Sequence, residues 1–153
     1  MALVQSEVRV AADPLTVWER ITDWRSHSRW VPLTTVTIDS SSPATSGLGT
    51  RFTGRTHLGR LGFNDPMRVT VWQPPTSAEP GRCRVIKQGP WLTGWAQIDV
   101  RAESGGTLVR WTEDVAVRGV PKRAAPVIAR TGALLFGRTL KRLAAELSAS
   151  VSG

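Results

Sequence analysis

Residues 122–150 read KRAAPVIARTGALLFGRTLKRLAAELSAS, an alanine- and leucine-rich run in which Phe136, Leu140, Leu143 and Leu147 fall on one face at helical spacing. This is the signature of one long amphipathic helix at the C-terminal end of the chain. What precedes it is different in kind. From residue 35 onward the chain alternates short β-branched runs with turn chemistry, which predicts strands at 35–39, 50–57, 67–73, 82–88, 91–102 and 107–117. The links at 59–65, 74–81, 89–90 and 104–106 are rich in Gly, Pro, Asp and Ser, so successive strands run antiparallel. An antiparallel sheet of this size has one face that needs cover, and the terminal helix is the only element long enough to supply it.

The N-terminal third completes the order. Val4, Ser6, Val8 and Val10 alternate with Gln5, Glu7 and Arg9, the pattern of a strand. Asp13-Pro14 then pairs an N-cap acid with proline at the first helical position, and Leu15, Val17, Trp18 and Ile21 follow at helical spacing to about residue 23. WRSHSRWVP, residues 24–32, carries two tryptophans and closes on proline, as suits a second short helix or turn. The polar SSSPATSG loop at 40–47 is expected to act as a mobile flap.

Composition limits the chemistry. The chain has 153 residues, 41% hydrophobic and 21% charged, which predicts one globular domain over 1–153. A chain this long buries roughly 70% of its unfolded surface, enough to carry a core with a hollow in it. Cys83 is the single cysteine, so no internal disulfide forms, and with only His27 and His57 no thiolate or histidine metal cage can be built. No metal and no cofactor are expected. Without an 18-residue apolar run or a leader pattern, the chain reads as cytoplasmic. The net charge of +8, carried by 20 Lys and Arg against 12 Asp and Glu, favours acidic partners.

The order of motifs is also informative. VxxDPxxVWxxIxDW at 10–24, GLGTRFTGRT at 47–56, PMRVTVWQPP at 66–75 and GGTLVRWTEDV at 105–115 together resemble the START-like (SRPBCC) superfamily, and within it the bacterial polyketide cyclase/dehydrase branch. The resemblance implies an α+β helix-grip fold, with a bent antiparallel sheet of six or seven strands wrapped around the C-terminal helix and two short helices after the first strand. Members bind lipids, sterols, polyketides or other apolar small molecules in the enclosed pocket, and some catalyse aldol cyclisation or dehydration. A shared fold carries a pocket more readily than a reaction.

Candidate site residues follow from strand parity and aromatic content. Seven Trp and no Tyr give rigid apolar area suited to a planar ring system. Phe52, Trp91 and Trp111 are the expected pocket walls, with Trp24 and Trp30 at the mouth; in the resembled fold Ala129, Gly132 and Ala133 would leave room for ligand along the helix. Along 109–115, Val109, Trp111, Glu113 and Val115 share a face. If that face is concave, Glu113 enters the pocket as a general base or polar anchor, or else is neutralised by Arg51, Arg55 or Arg68 on neighbouring strands. His57 is a second candidate for proton transfer, with a surface position as its bland alternative. Cys83 carries no mark of a nucleophile.

Three functions compete on this reading. The first is binding of a hydrophobic small molecule, aromatic, polyketide-like or lipid, between sheet and helix. The second is polyketide cyclase or dehydratase chemistry through Glu113 or His57. The third is a basic accessory protein docking to an acidic partner, because Arg118, Lys122, Arg123, Arg130, Arg138, Lys141 and Arg142 occur with no acid between Asp114 and Glu146. That stripe suits a membrane surface only weakly, and no module for specific nucleic-acid recognition accompanies it. A monomer and a homodimer are equally compatible with the sequence.

Overall fold

A computed structural model describes residues 2–43 and 46–151. Seven strands, β1 (Ala2–Val10), β2 (Thr34–Ile38), β3 (Arg51–Leu58), β4 (Leu61–Gln73), β5 (Gly81–Gln88), β6 (Leu92–Glu103) and β7 (Gly106–Val117), form one antiparallel sheet in the order β1-β7-β6-β5-β4-β3-β2. The helices α1 (Pro14–Ile21) and α2 (His27–Trp30), joined by a single 3-10 turn at Trp24–Ser26, interrupt the sheet after β1. The long helix α3 (Ala125–Val151) follows a short turn at Lys122–Ala124. This is the helix-grip arrangement expected from the resemblance. Of the 40–47 loop, Ala44 and Thr45 lie outside the described residues, and its far end is tied to the C-cap of α1, where Ser46 Oγ donates to the Thr22 carbonyl at 3.0 Å.

Local chemistry explains the joints. Asp13 Oδ2 accepts from Thr16 N–H at 2.9 Å and Pro14 supplies the first helical φ, so α1 starts where the sequence places it. The sheet curls through two devices. A register shift between Val69 and Val71 puts a bulge in β4, and Gly94 in β6 adopts a φ of 124°, where an added Cβ would fall 2.0 Å from the Asp114 carbonyl oxygen.

The first half of β4 departs from expectation. Residues 59–65 were expected to be a turn, but only Gly59 and Arg60 reverse the chain, and β4 begins at Leu61. Gly59 takes a φ of 60°, which lets the hairpin close within two residues, and the pairing continues through Phe63↔Thr56 and Asp65↔Gly54. Asp65 is thereby moved from a loop onto a strand.

α3 covers the concave side of the sheet. Its Leu140, Leu143 and Leu147 are buried, packing into a core with Val17, Trp18, Ile21, Val100 and Val109. Nearer its start it approaches β1, because Gly132 has no Cβ: one placed there would meet Val4 at 3.0 Å. Ser6 Oγ donates to the Ala133 carbonyl at 3.2 Å beside it. At the other end Glu146 clasps the helical pair, accepting from Trp30 Nε1 at 2.6 Å, Arg29 at 2.9 Å and Arg20 at 3.1 Å. No helix among the described residues is long and apolar enough to cross a membrane.

Candidate ligand-binding cavity

Between sheet and helix lies a cavity of about 540 Å³, a size that suits a drug-sized molecule. Strand parity builds it. Phe52, Gly54 and Thr56 of β3, Met67 of β4, Cys83 and Val85 of β5, Ala96 and Ile98 of β6 and Trp111 and Val115 of β7 all line its floor. Val127, Ile128, Thr131, Gly132, Leu135 and Phe136 of α3 form the roof, and Trp24, His27 and Val36 close the side.

Aromatic rings stiffen this shell. Trp24 stacks on Phe52 with centroids 4.4 Å apart and planes 10° from parallel, and Trp111 stacks on Phe136 of the roof at 5.0 Å and 17°. His27 sits among Trp24, Trp30 and Trp111 at 5.3, 5.4 and 5.8 Å. Its Nε2 lies 2.7 Å from the Ile21 carbonyl oxygen, which can only accept, so Nε2 carries the proton. Burial holds the pKa of His27 below its ordinary value despite this bond and the nearby Asp23 charge, so the ring is a neutral part of the wall.

One polar cluster interrupts the apolar lining. Lys87 of β5, Asp65 of β4 and Glu113 of β7 all face the cavity and are almost wholly buried. Lys87 Nζ donates to Asp65 Oδ2 at 2.5 Å and stands 3.9 Å from Glu113 Oε1. Burial draws the Lys87 ammonium toward neutrality, but the Glu113 and Asp65 charges outweigh it and hold its pKa above the usual value. Glu113 shifts upward as well: burial dominates, and the Lys87 charge only partly offsets it. The cluster therefore sets one ammonium against a close partner, Asp65, and a second carboxyl, Glu113, that holds its proton to higher pH than usual. Asp65 Oδ1, Trp111 Nε1 and Trp24 Nε1 are buried at the cavity without a hydrogen-bond partner.

Residues 1–148 match the family described as polyketide cyclase / dehydrase and lipid transport. The chain belongs to that family. As a member of it, the chain shares its fold with a protein from Thermus thermophilus at 15% identity, with a TM-score of 0.76 over 97% of this chain and 98% of the other. A START superfamily protein from Mycobacterium smegmatis is similar at 16% identity and a TM-score of 0.74, covering 96% of this chain and 99% of its own. The Aha1 dimer from Colwellia psychrerythraea matches at 15% identity and a TM-score of 0.63, covering 96% of each chain. No curated protein matches by sequence.

The structure brings together part of the set read from the sequence of this family member. Phe52, Trp111 and Glu113 line the cavity. Trp91 does not: it sits in the β5–β6 link, 54% exposed, because β6 starts one residue later than expected and its first residue, Leu92, takes the wall position instead. His57 is exposed on β3, on the face opposite Phe52 and Thr56, as its odd parity dictates. Ala129 and Ala133 are half-buried on α3 and outside the lining, where the helical turn presents Ile128 and Gly132. Trp24 lines the cavity from deep in the core rather than at its mouth, and Trp30 lies outside the lining against His27, both tryptophans buried.

The group facing Glu113 is Lys87, whereas the candidate arginines Arg51 and Arg55 point outward and are exposed. Lys87 carried a signal in the sequence: it continues the inward parity of Cys83 and Val85, and it is one of only three lysines among 20 basic residues. Asp65 carried none while its segment read as a turn. Among the described residues no group of three His, Cys, Asp or Glu side chains is placed to hold a metal ion.

Proposed function

We propose that the chain binds an apolar, ring-bearing small molecule in this cavity, with a hydroxyl or carbonyl oxygen seated at Asp65, Lys87 and Glu113. The supporting observation is an apolar cavity of about 540 Å³ whose wall carries a single buried ionic cluster with an unpaired acceptor, Asp65 Oδ1, and an unpaired donor, Trp111 Nε1. Buried polar groups left without partners are destabilising by about 1–3 kcal/mol each, so a ligand that pairs with them is favoured over a pure hydrocarbon of equal size. A ligand carboxylate is disfavoured, since it would add a third negative group around one ammonium. Titration followed by tryptophan fluorescence tests this with 2-naphthol, naphthalene and 2-naphthoate. The expected order is naphthol tightest and naphthoate weakest. A flat fluorescence response to all three, well above micromolar concentration, would sink the proposal.

A second reading draws on the raised pKa of Glu113. A buried carboxyl poised to exchange a proton beside an ammonium suits abstraction of a proton next to a ketone, with Lys87 or the Trp111 N–H steadying the enolate. Glu113→Gln keeps the shape and removes the exchangeable proton. Under the binding reading affinity changes by less than about tenfold; under the cyclase reading turnover of a poly-β-ketone substrate drops by about 100-fold or more.

A further inference from the structure

The cavity has a recognisable mouth. Val127 and Phe63 line it and are also 67% and 37% exposed, so the opening lies between the start of α3 and the first half of β4. Three connections meet at that end of the sheet. Arg118 N–H donates to the Trp91 carbonyl at 2.9 Å, which joins the β7–α3 and β5–β6 links. A Cβ on Gly89 would lie 3.3 Å from the Asn64 carbonyl oxygen, which sets the β3–β4 hairpin beside them.

This end has an unusual surface. Leu61, Trp91, Val120 and Val127 are all exposed, between 40% and 77%, and form an apolar fringe around the mouth. Arg60, Arg118, Lys122 and Arg123 are exposed among them. No acid interrupts the fringe: the segments 52–64, 88–98 and 115–145 contain no Asp or Glu. A cationic fringe with an exposed indole and branched aliphatics matches one kind of partner well. Phosphates of an anionic bilayer satisfy the guanidinium and ammonium groups while the indole and aliphatic groups enter the headgroup boundary. A second copy of this chain would set the cations against their own kind, and a nucleic acid would leave three of the four apolar groups in water.

We propose that this end of the molecule docks on an anionic lipid bilayer, with Trp91 at the headgroup level and the cavity mouth facing the membrane. The surface shares only Val127 with the cavity lining, so docking does not depend on which ligand the cavity takes.

Flotation with vesicles of phosphatidylglycerol and phosphatidylcholine tests it. The expected result is binding to mixed vesicles at low salt and at least tenfold weaker binding to phosphatidylcholine alone. Trp91→Ser is expected to weaken binding to mixed vesicles at least fivefold, and the pair Lys122→Glu and Arg123→Glu at least tenfold. A charge-matched pair further along α3, Arg138→Glu and Lys141→Glu, is expected to change it less than twofold. Equal losses from the two charge pairs would mean that net charge alone attracts the vesicles, and would overturn the proposal. So would an unaltered Trp91→Ser variant, an absence of binding to mixed vesicles, or a dimer in solution that Trp91→Ser dissociates. Gly54→Leu, which fills the cavity, is expected to leave flotation unchanged, so docking and ligand binding fail independently.

Discussion

Glu113 faces Lys87 across 3.9 Å inside the cavity, close enough for strong attraction and too far for a hydrogen bond, while Asp65 takes the short contact to the same ammonium. The three groups come from three strands of one sheet and share almost no solvent. Removing the cation strands two carboxylates in a low-dielectric wall. Lys87→Met is expected to lower stability by about 3–5 kcal/mol near neutral pH, and by less in acid, where the carboxyls protonate. Adding Asp65→Asn should recover a large part of that loss. Denaturant unfolding of both variants checks this, and a Lys87→Met protein as stable as its parent would contradict the electrostatic account.

His27 predicts a pH dependence of stability. Its folded pKa lies below the ordinary 6.5 because burial disfavours the charged ring. Between those two values the unfolded chain binds a proton that the folded chain refuses, so stability rises with pH there. The contribution is complete above 6.5 and is lost as pH falls through the folded value. Glu113 works in the opposite sense, losing stability as pH rises above its ordinary 4.5. Comparing melting profiles of His27→Gln and the parent isolates the histidine. The variant keeps a donor for the Ile21 carbonyl, and its profile should lose the slope just below pH 6.5.

Gly54 offers a way to close the cavity without breaking the fold. It is buried on β3 between Phe52 and Thr56, and a Cβ there meets Met67 and Thr34 at ordinary distances of 3.5 and 3.6 Å. Gly54→Leu should therefore hold stability within about 1 kcal/mol, helped by removing a glycine from a strand, while its side chain occupies ligand space. Affinity for 2-naphthol is expected to fall by two orders of magnitude or more. Undiminished binding would place the ligand elsewhere.

Glu146 tests how α3 is held. Glu146→Ala leaves the Trp30 N–H, on a residue only 3% exposed, without its acceptor, and should cost about 2 kcal/mol. Glu146→Gln keeps an acceptor for Trp30 and loses only the ion pairs to Arg20 and Arg29, both partly in solvent. Urea denaturation should therefore show a small loss for Gln and a larger one for Ala. Equal losses would assign the effect to the ion pairs.

Much of the frame was legible in the order of residues alone. The Asp13-Pro14 start of α1, the apolar face of α3 through Leu140, Leu143 and Leu147, and the order of the strands all express spacing within a few residues. The inward direction of Glu113 was legible for the same reason, since it keeps step with the buried Val109 and Trp111. Trp91 misled because an indole at the edge of a strand carries the same local pattern whether it turns inward or stays in the link. Asp65 was hidden because Gly59 and Gly62 bracket a tight hairpin, which reads like a longer loop.

The sequence by itself determined the kind and order of the elements and most of their apolar faces, because periodicity and capping are properties of neighbours along the chain. Only the tertiary structure decided that Asp65, Lys87 and Glu113 meet, since that depends on the register of β4, β5, β6 and β7 and on a curl set by a bulge and one glycine. The hollow beneath α3 is likewise a product of that curl and of where Gly132 lets the helix rest against β1. Partners far apart in sequence are selected by packing, and packing is settled by the whole chain at once.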